Sequence, residues 1–265
     1  MSRLPEICDD ARSTEELVSF ALSELSEELA WQAVTVLHFR GTEEVLERAQ
    51  RLATSPSNRE RSLGADILGQ LGVPERTFPV ECTEVLCRML SVEEDAKVLA
   101  SILIALSFQN CSDAISLVIR FSDHTDPAVR HAVVLALAST ECPEAITNLV
   151  SLSRDADDDV RDWATFTLGT LFETDTQQIR DALFDRITDR HDDTRGEALL
   201  GLARRKDSRI VDALRTELGS DWVGTLAVEA AEALASAELR QHLVDLRRWW
   251  DVDPQLLARA VTASG

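Results

Sequence analysis

Apolar positions recur three and four residues apart along nearly the whole chain, as in EEVLERAQRLA (43–53), AITNLVSL (145–152) and IVDALRTEL (210–218). That spacing lines one face of an α-helix, and no long stretch shows the strict alternation of a half-buried strand. The pattern predicts an all-α chain. Amphipathic segments are expected at about 42–54, 113–121, 143–152, 176–187 and 208–218, each followed by a second helix.

The second helices repeat. LAWQAVTVL, ERSLGADIL, VLASILIAL, VRHAVVLAL, VRDWATFTL, TRGEALLGL and LAVEAAEAL align on Ala30, Arg61, Leu99, Arg130, Arg161, Arg195 and Ala227. Seven positions after each of these anchors stands a leucine: Leu37, Leu68, Leu106, Leu137, Leu168, Leu202 and Leu234. Three positions after, the residues are mostly small (Ala33, Gly64, Ile102, Val133, Ala164, Ala198, Ala230). Steps of four place these on one helix face, where small side chains would admit a neighbouring helix and the leucine would fill the gap between layers. A helix pair this short cannot bury its own core and must stack on its neighbours. The units are expected at about 14–41, 42–72, 79–109, 110–141, 142–174, 175–206 and 207–236, within a single domain spanning 1–265.

The motif DPAVRHAVVLAL (126–137) and its copy DDDVRDWATFTL (157–168) resemble HEAT repeats, notably the short kind also found in phycobilin lyases. The resemblance covers roughly residues 26–236 and implies an α-α superhelix, a solenoid of about seven HEAT-like helix pairs followed by C-terminal capping helices over 237–265. Arginine occupies only four of the seven anchors, so the first, third and last units depart from the motif. The resemblance specifies a fold and is nearly silent on function.

Four residues before the anchors stand Ser26, Ser57, Asp95, Asp126, Asp157, His191 and Val223. Serine and aspartate accept hydrogen bonds from the first unpaired N–H groups of a helix, and Pro127 suits a first helical position. In the sixth unit Asp192 is the better cap on this pattern. The acidic run RDADDDVRDWA (154–164) then reads as a helix start. Asp157 is the cap, Asp158 and Asp159 face the helix dipole, and Arg154 and Arg161 offset the repulsion. As a calcium loop it fails, because Val160 and Phe166 stand where glycine and glutamate are needed.

Composition narrows the function. A net charge of −20, from 47 acidic and 27 basic side chains, repels nucleic acid and anionic membranes and favours a basic partner. The only lysines are Lys97 and Lys206, against the clustered cations a DNA groove needs. No phosphate-cradling, zinc-protease or nucleophile-elbow motif occurs, so no catalytic residue, metal or cofactor is expected. The five cysteines are scattered without a C-x-x-C pair. Cys82 and Cys87 read as buried small hydrophobes, and the dispersed histidines as surface residues. With no apolar leader and no membrane-length run, the expected location is cytoplasmic.

Candidate contact residues follow from the repeat. In a HEAT-like unit the second helix lines the concave face, and positions two and five after the anchor would point into it. There Trp163 and Phe166 make an apolar platform, Asp66 stands at position five of the second unit, and Glu197, Glu229 and Glu232 carry the acidity. An aromatic centre in acidic surroundings suits a basic protein partner, an inhibited cationic enzyme being one version. The expectation is a protein-interaction scaffold. The HEAT-like resemblance leaves two alternatives: an alkylpurine DNA glycosylase using Trp163 with Asp162 or Asp66, and a bilin lyase or chaperone-like protein. Two further features read as structural. Trp249 and Trp250 in LRRWWDVDP would seal the end of the stack, and GVPERTFPVEC (72–82), with two prolines, would be a loop.

Overall fold

The computed structural model describes residues 10–109 and 114–265; Cys8, Cys111 and the start of the segment expected at 113–121 lie outside the described residues. The chain is all-α, a helical-repeat solenoid fold, with no strand among the described residues. It divides into two compact units, Met1–Thr140 and Glu141–Gly265.

The first unit holds α1 (Thr14–Ser23), α2 (Glu27–Arg40), α3 (Glu43–Ala53), α4 (Asn58–Gly69), α5 (Pro79–Val92), α6 (Ala96–Ser107), α7 (Ile115–Val118, continued by a 3-10 turn Ile119–Phe121) and α8 (Pro127–Ala138). The second holds α9 (Pro143–Leu152), α10 (Asp158–Phe166, continued by a π turn Thr167–Leu171), α11 (Gln177–Phe184), α12 (Asp192–Arg204), α13 (Val211–Leu218), α14 (Thr225–Leu234), α15 (Arg240–Leu246) and α16 (Pro254–Ala263). Even-numbered helices are the second members of their pairs. They pack in rows, α4–α6–α8 in one unit and α10–α12–α14–α16 in the other, while α2 touches α4 much less than α4 touches α6.

The repeated leucines hold the rows together. Leu37, Leu68, Leu137, Leu168 and Leu202 are wholly buried and Leu106 nearly so; only Leu234 remains partly exposed. Burying one such side chain stabilises by roughly 1.5–3 kcal/mol. In the second repeat the small residue three after the anchor does a different job from the one its spacing suggests. At Gly64 a Cβ would come within 2.9 Å of the Ala53 backbone nitrogen, so this position seats α4 on α3 of its own pair. Neighbouring second helices approach through other glycines. A Cβ on Gly201 would lie 2.6 Å from the Gly169 Cα, and one on Gly69 3.0 Å from Ala105.

Caps start the second helices as their spacing predicts. Ser26, Ser57, Asp95, Asp126 and Asp157 each accept from a first-turn N–H. In the sixth unit the cap is His191 rather than Asp192, its ring Nδ1 facing the Thr194 N–H at 3.5 Å. The last has Gly224 and no side-chain cap. Asp157 serves the N–H groups of Asp159 and Val160, and Asp155 in turn accepts from the Asp157 N–H. The acidic run is a helix start.

Three other expectations are corrected. His38 is a core residue, 3% exposed, because its Nε2 finds a partner 2.9 Å away in the Asp66 carbonyl oxygen. The stretch 72–82 is a loop only as far as Phe78; Pro79 takes the first position of α5, where its missing N–H is not needed. Of the tryptophan pair, Trp250 is buried with its indole N–H on the Val223 carbonyl at 2.8 Å, whereas Trp249 is half exposed. Cys82 is buried and Cys87 partly so.

Candidate protein-interaction face

Acidic side chains on these helices fall into two settings. At the N-terminal edge of the second helices they are paired with arginine. Arg61 reaches back to the carbonyls of Ser55 and Pro56, 3.0 and 3.1 Å away, and forks onto Glu93 of the following unit at 2.7 and 3.0 Å. Arg161 does the same with the Asp155 carbonyl and Asp189, all at 3.0 Å. Arg195 joins the Asp189 carbonyl at 2.8 Å to Glu217 at 2.5 Å. The repeated anchor arginine is thus a clasp between its own helix start and the next repeat. Arg161 also holds Asp158 at 2.6 Å, assisted by Arg190 at 2.9 Å. Arg154, expected to help there, turns to Asp185. Burial alone would raise the Asp189 carboxyl, but the Arg161 hydrogen bonds outweigh it and hold the group below its ordinary value.

Further along the second helices of the second unit, Asp162, Glu197 and Glu229 lack such partners. Glu197 on α12 is partly buried and accepts a hydrogen bond from the Thr170 hydroxyl at 3.0 Å. Burial pushes its carboxyl upward, the like charges of Asp162 and Glu229 add to the shift, and the Thr170 hydrogen bond and the more distant charge of Arg204 only partly oppose it. Asp162 on α10 lies 3.4 Å from the Thr194 hydroxyl and is raised first by burial, then by Asp193 and Asp159, with His191 opposing. Among the described residues no arginine or lysine forms an ion pair with Asp162, Glu197 or Glu229. Beside them Trp163 is 40% exposed and meets Phe166 edge to face, with ring centroids 5.6 Å apart.

The sequence-derived candidates therefore separate. In the second unit Trp163 meets Phe166, and Glu197 is close enough to Glu229 to feel its charge. Glu232 lies on the same helix as Glu229 but is neutralised by Arg259 at 2.8 Å. Asp66 belongs to the first unit, where burial raises its carboxyl to about 6 against a hydrogen bond from Ser101. Asp162 was reached from the sequence only through the glycosylase alternative, because it sits one position after its anchor rather than two or five.

No group of three or more histidine, cysteine or acidic side chains that could hold a metal ion occurs among the described residues. None of their helices is long and apolar enough to cross a membrane.

Stacked helix pairs clasped by a repeating arginine define an α-solenoid repeat protein. The chain belongs to the HEAT-repeat family, whose model, described as HEAT repeats, matches residues 83–169 and again 149–235. It is similar to the protein YibA of Escherichia coli strain K12, with 31% identity over 102 residues. That stretch is 38% of this chain and spans 36% of the relative's length. The X-ray structure of E. coli YibA superposes with a TM-score of 0.82 at 23% identity, covering 99% of this chain and 96% of that one. An engineered protein superposes with a TM-score of 0.56 at 18% identity, covering 94% and 77%.

Proposed function

We propose that the protein is an interaction scaffold whose α10–α12–α14 surface docks a basic segment of another protein. The observation that supports this reading is the contrast in charge pairing. Acids at the helix starts are matched by arginines, while Asp162 and Glu197 are partly desolvated, close enough to repel each other, and without an ion pair to arginine or lysine among the described residues. A carboxylate pushed up by its neighbours gains most from an incoming cation, which relieves both burial and like-charge repulsion. The Trp163–Phe166 pair gives the partner an apolar anchor, the residue type that dominates binding energy at interfaces. Complementary charge would also steer the encounter and make it sensitive to salt.

The test begins with salt-titrated affinity capture from the native host and purification of the protein retained. Binding of that partner is then measured with Trp163→Ala and with the double variant Glu197→Gln/Glu229→Gln. Each should weaken binding at least ~tenfold, which is ~1.4 kcal/mol. Trp163→Ala also gives up the edge-to-face contact, worth about 1 kcal/mol, and the buried part of the ring, so urea unfolding is followed beside binding to confirm that the variant stays folded. Unchanged affinity in both variants, or salt-independent binding, overturns the reading.

A further inference from the structure

The first unit carries a cleft that the surface above does not include. It lies between the end of α1, the outer side of α2 and the start of α4, where α2 stands away from its neighbour, and it encloses about 720 Å³. Its walls are aliphatic and aromatic: Leu22, Leu25, Leu63 and Trp31 line it. Trp31 is 49% exposed and Leu25 91%. A tryptophan is unusual at this place in the repeat. One position after the other anchors stand Ser62, Ala100, His131, Asp162, Gly196 and Val228.

Charge in the cleft is unbalanced. Glu24, Glu27, Glu28 and Asp66 line it against the single cation Arg59, whose guanidinium is turned onto the Glu24 backbone carbonyl at 3.0 Å. The Glu24 carboxylate is occupied by the N–H groups of Leu25 and Ser26. Asp66 is different. Among the described residues no arginine or lysine forms an ion pair with it, although acids buried at the helix starts all have one. The geometry around it is fixed from behind. His38 links α2 to the Asp66 carbonyl at 2.9 Å and meets the Trp31 ring edge to face, with centroids 6.0 Å apart. Burial keeps His38 below its ordinary pKa, so the neutral ring donates through Nε2.

We infer that this cleft receives an arginine side chain of a protein partner, together with an adjoining aliphatic residue, the guanidinium lying between the Trp31 ring and the Asp66 carboxylate. A planar guanidinium suits both surfaces, stacking on an indole face and forking onto a carboxylate. The aliphatic residue covers Leu25 and Leu63. Three unmatched carboxylates and one committed arginine favour a cation over an anion or a neutral chain. The inference shares with the proposed function the idea of a basic protein partner and adds a second, separate foothold for it.

The test uses the full chain labelled with 5-fluorotryptophan, its five tryptophan signals assigned by single Trp→Phe variants and followed by ¹⁹F NMR. The probe is the blocked peptide Leu-Arg-Leu-Arg, and the control is the same peptide with citrulline, a neutral isostere, for each arginine. The arginine peptide should shift the Trp31 signal saturably and the citrulline peptide should not. Asp66→Asn, checked for helicity by circular dichroism, should weaken that response at least ~tenfold. A Trp163 shift with Trp31 unmoved overturns the cleft and leaves the α10–α12–α14 surface standing. A Trp31 shift with Trp163 unmoved supports the cleft and counts against that surface. Equal response to both peptides overturns the charge argument.

Discussion

The helix-start edge and the exposed side of the second helices are built from the same acidic residues and end in opposite electrostatic states. At the edge, the side chains of Glu93 and Asp189 are each almost fully buried and each meets an anchor arginine. On the helix side, Asp66, Asp162 and Glu197 are raised by burial with no such partner. The difference is one of direction. The anchor arginine sits one turn inside its helix, and from there it links its own incoming loop to the next repeat. Asp162 and Glu197, one and two positions after their anchors, project from other sides of the helix, and Asp66 lies a further turn along. Where both charges are supplied within the chain, the pair fastens repeats. Where only one is supplied, the chain holds an uncompensated cost that a partner can remove.

Breaking a clasp should have the largest effect. Arg161 is 5% exposed and holds a carboxylate that is equally buried. Arg161→Ala opens the link between the Asp155 carbonyl and Asp189 and leaves the buried Asp189 carboxylate to Arg186 alone, 3.2 Å away. The expected loss is ~3 kcal/mol, read from urea unfolding. A loss below ~1 kcal/mol would show the clasp to be ornamental, and the contrast between edge and face would collapse.

Removing an unmatched acid should act in the opposite direction. The Asp66 carboxyl rises from its ordinary 3.8 to about 6 in the folded protein. Between those values the folded state holds the proton more firmly than the unfolded chain, so this group's stabilising contribution is full below pH 3.8 and is lost as pH rises through 6. At pH 8 the ionised group therefore destabilises the fold, by ~2–3 kcal/mol at 1.4 kcal/mol per pH unit. Asp66→Asn should stabilise the protein by about that much at pH 8 and have little effect at pH 4. Urea midpoints at the two pH values decide it, and a destabilised variant at pH 8 would mean that an internal cation pairs with the carboxylate.

Helix periodicity and capping were legible in the chain because both depend on neighbours in sequence. The segments expected at 42–54 and 143–152 match Glu43–Ala53 and Pro143–Leu152 closely, and the leucine register marks the core. The clasp was hidden, although its arginine was visible as the anchor. Its partners lie 22 to 32 residues away, Glu93 and Asp189 in loops that carry no periodic signal and Glu217 on α13. His38 was misjudged for a related reason: its place in the core depends on the Asp66 carbonyl, a backbone acceptor no side-chain pattern reveals. The candidate face was half legible. Counting positions along a straight helix found Trp163, Phe166, Glu197 and Glu229, but not that Arg259 would neutralise Glu232.

That last pair offers the smallest and most discriminating effect. Glu232 lies three residues beyond Glu229 on α14, yet it alone among the sequence-derived acidic candidates is bridged by an arginine, and Arg259 is more than half exposed. An exposed pair of this kind adds little to stability, since water already screens both charges. Glu232→Gln should leave the urea midpoint unmoved. It should also change partner affinity less than ~twofold, whereas Glu197→Gln on the neighbouring helix should weaken binding severalfold. The two substitutions remove the same charge from the same side of the unit, so any difference isolates what an internal arginine does. If Glu232→Gln weakens binding as much as Glu197→Gln, net acidity rather than unmatched acidity governs recognition. If only Glu197→Gln weakens it, the partner reads the carboxylates that the protein leaves without an internal arginine.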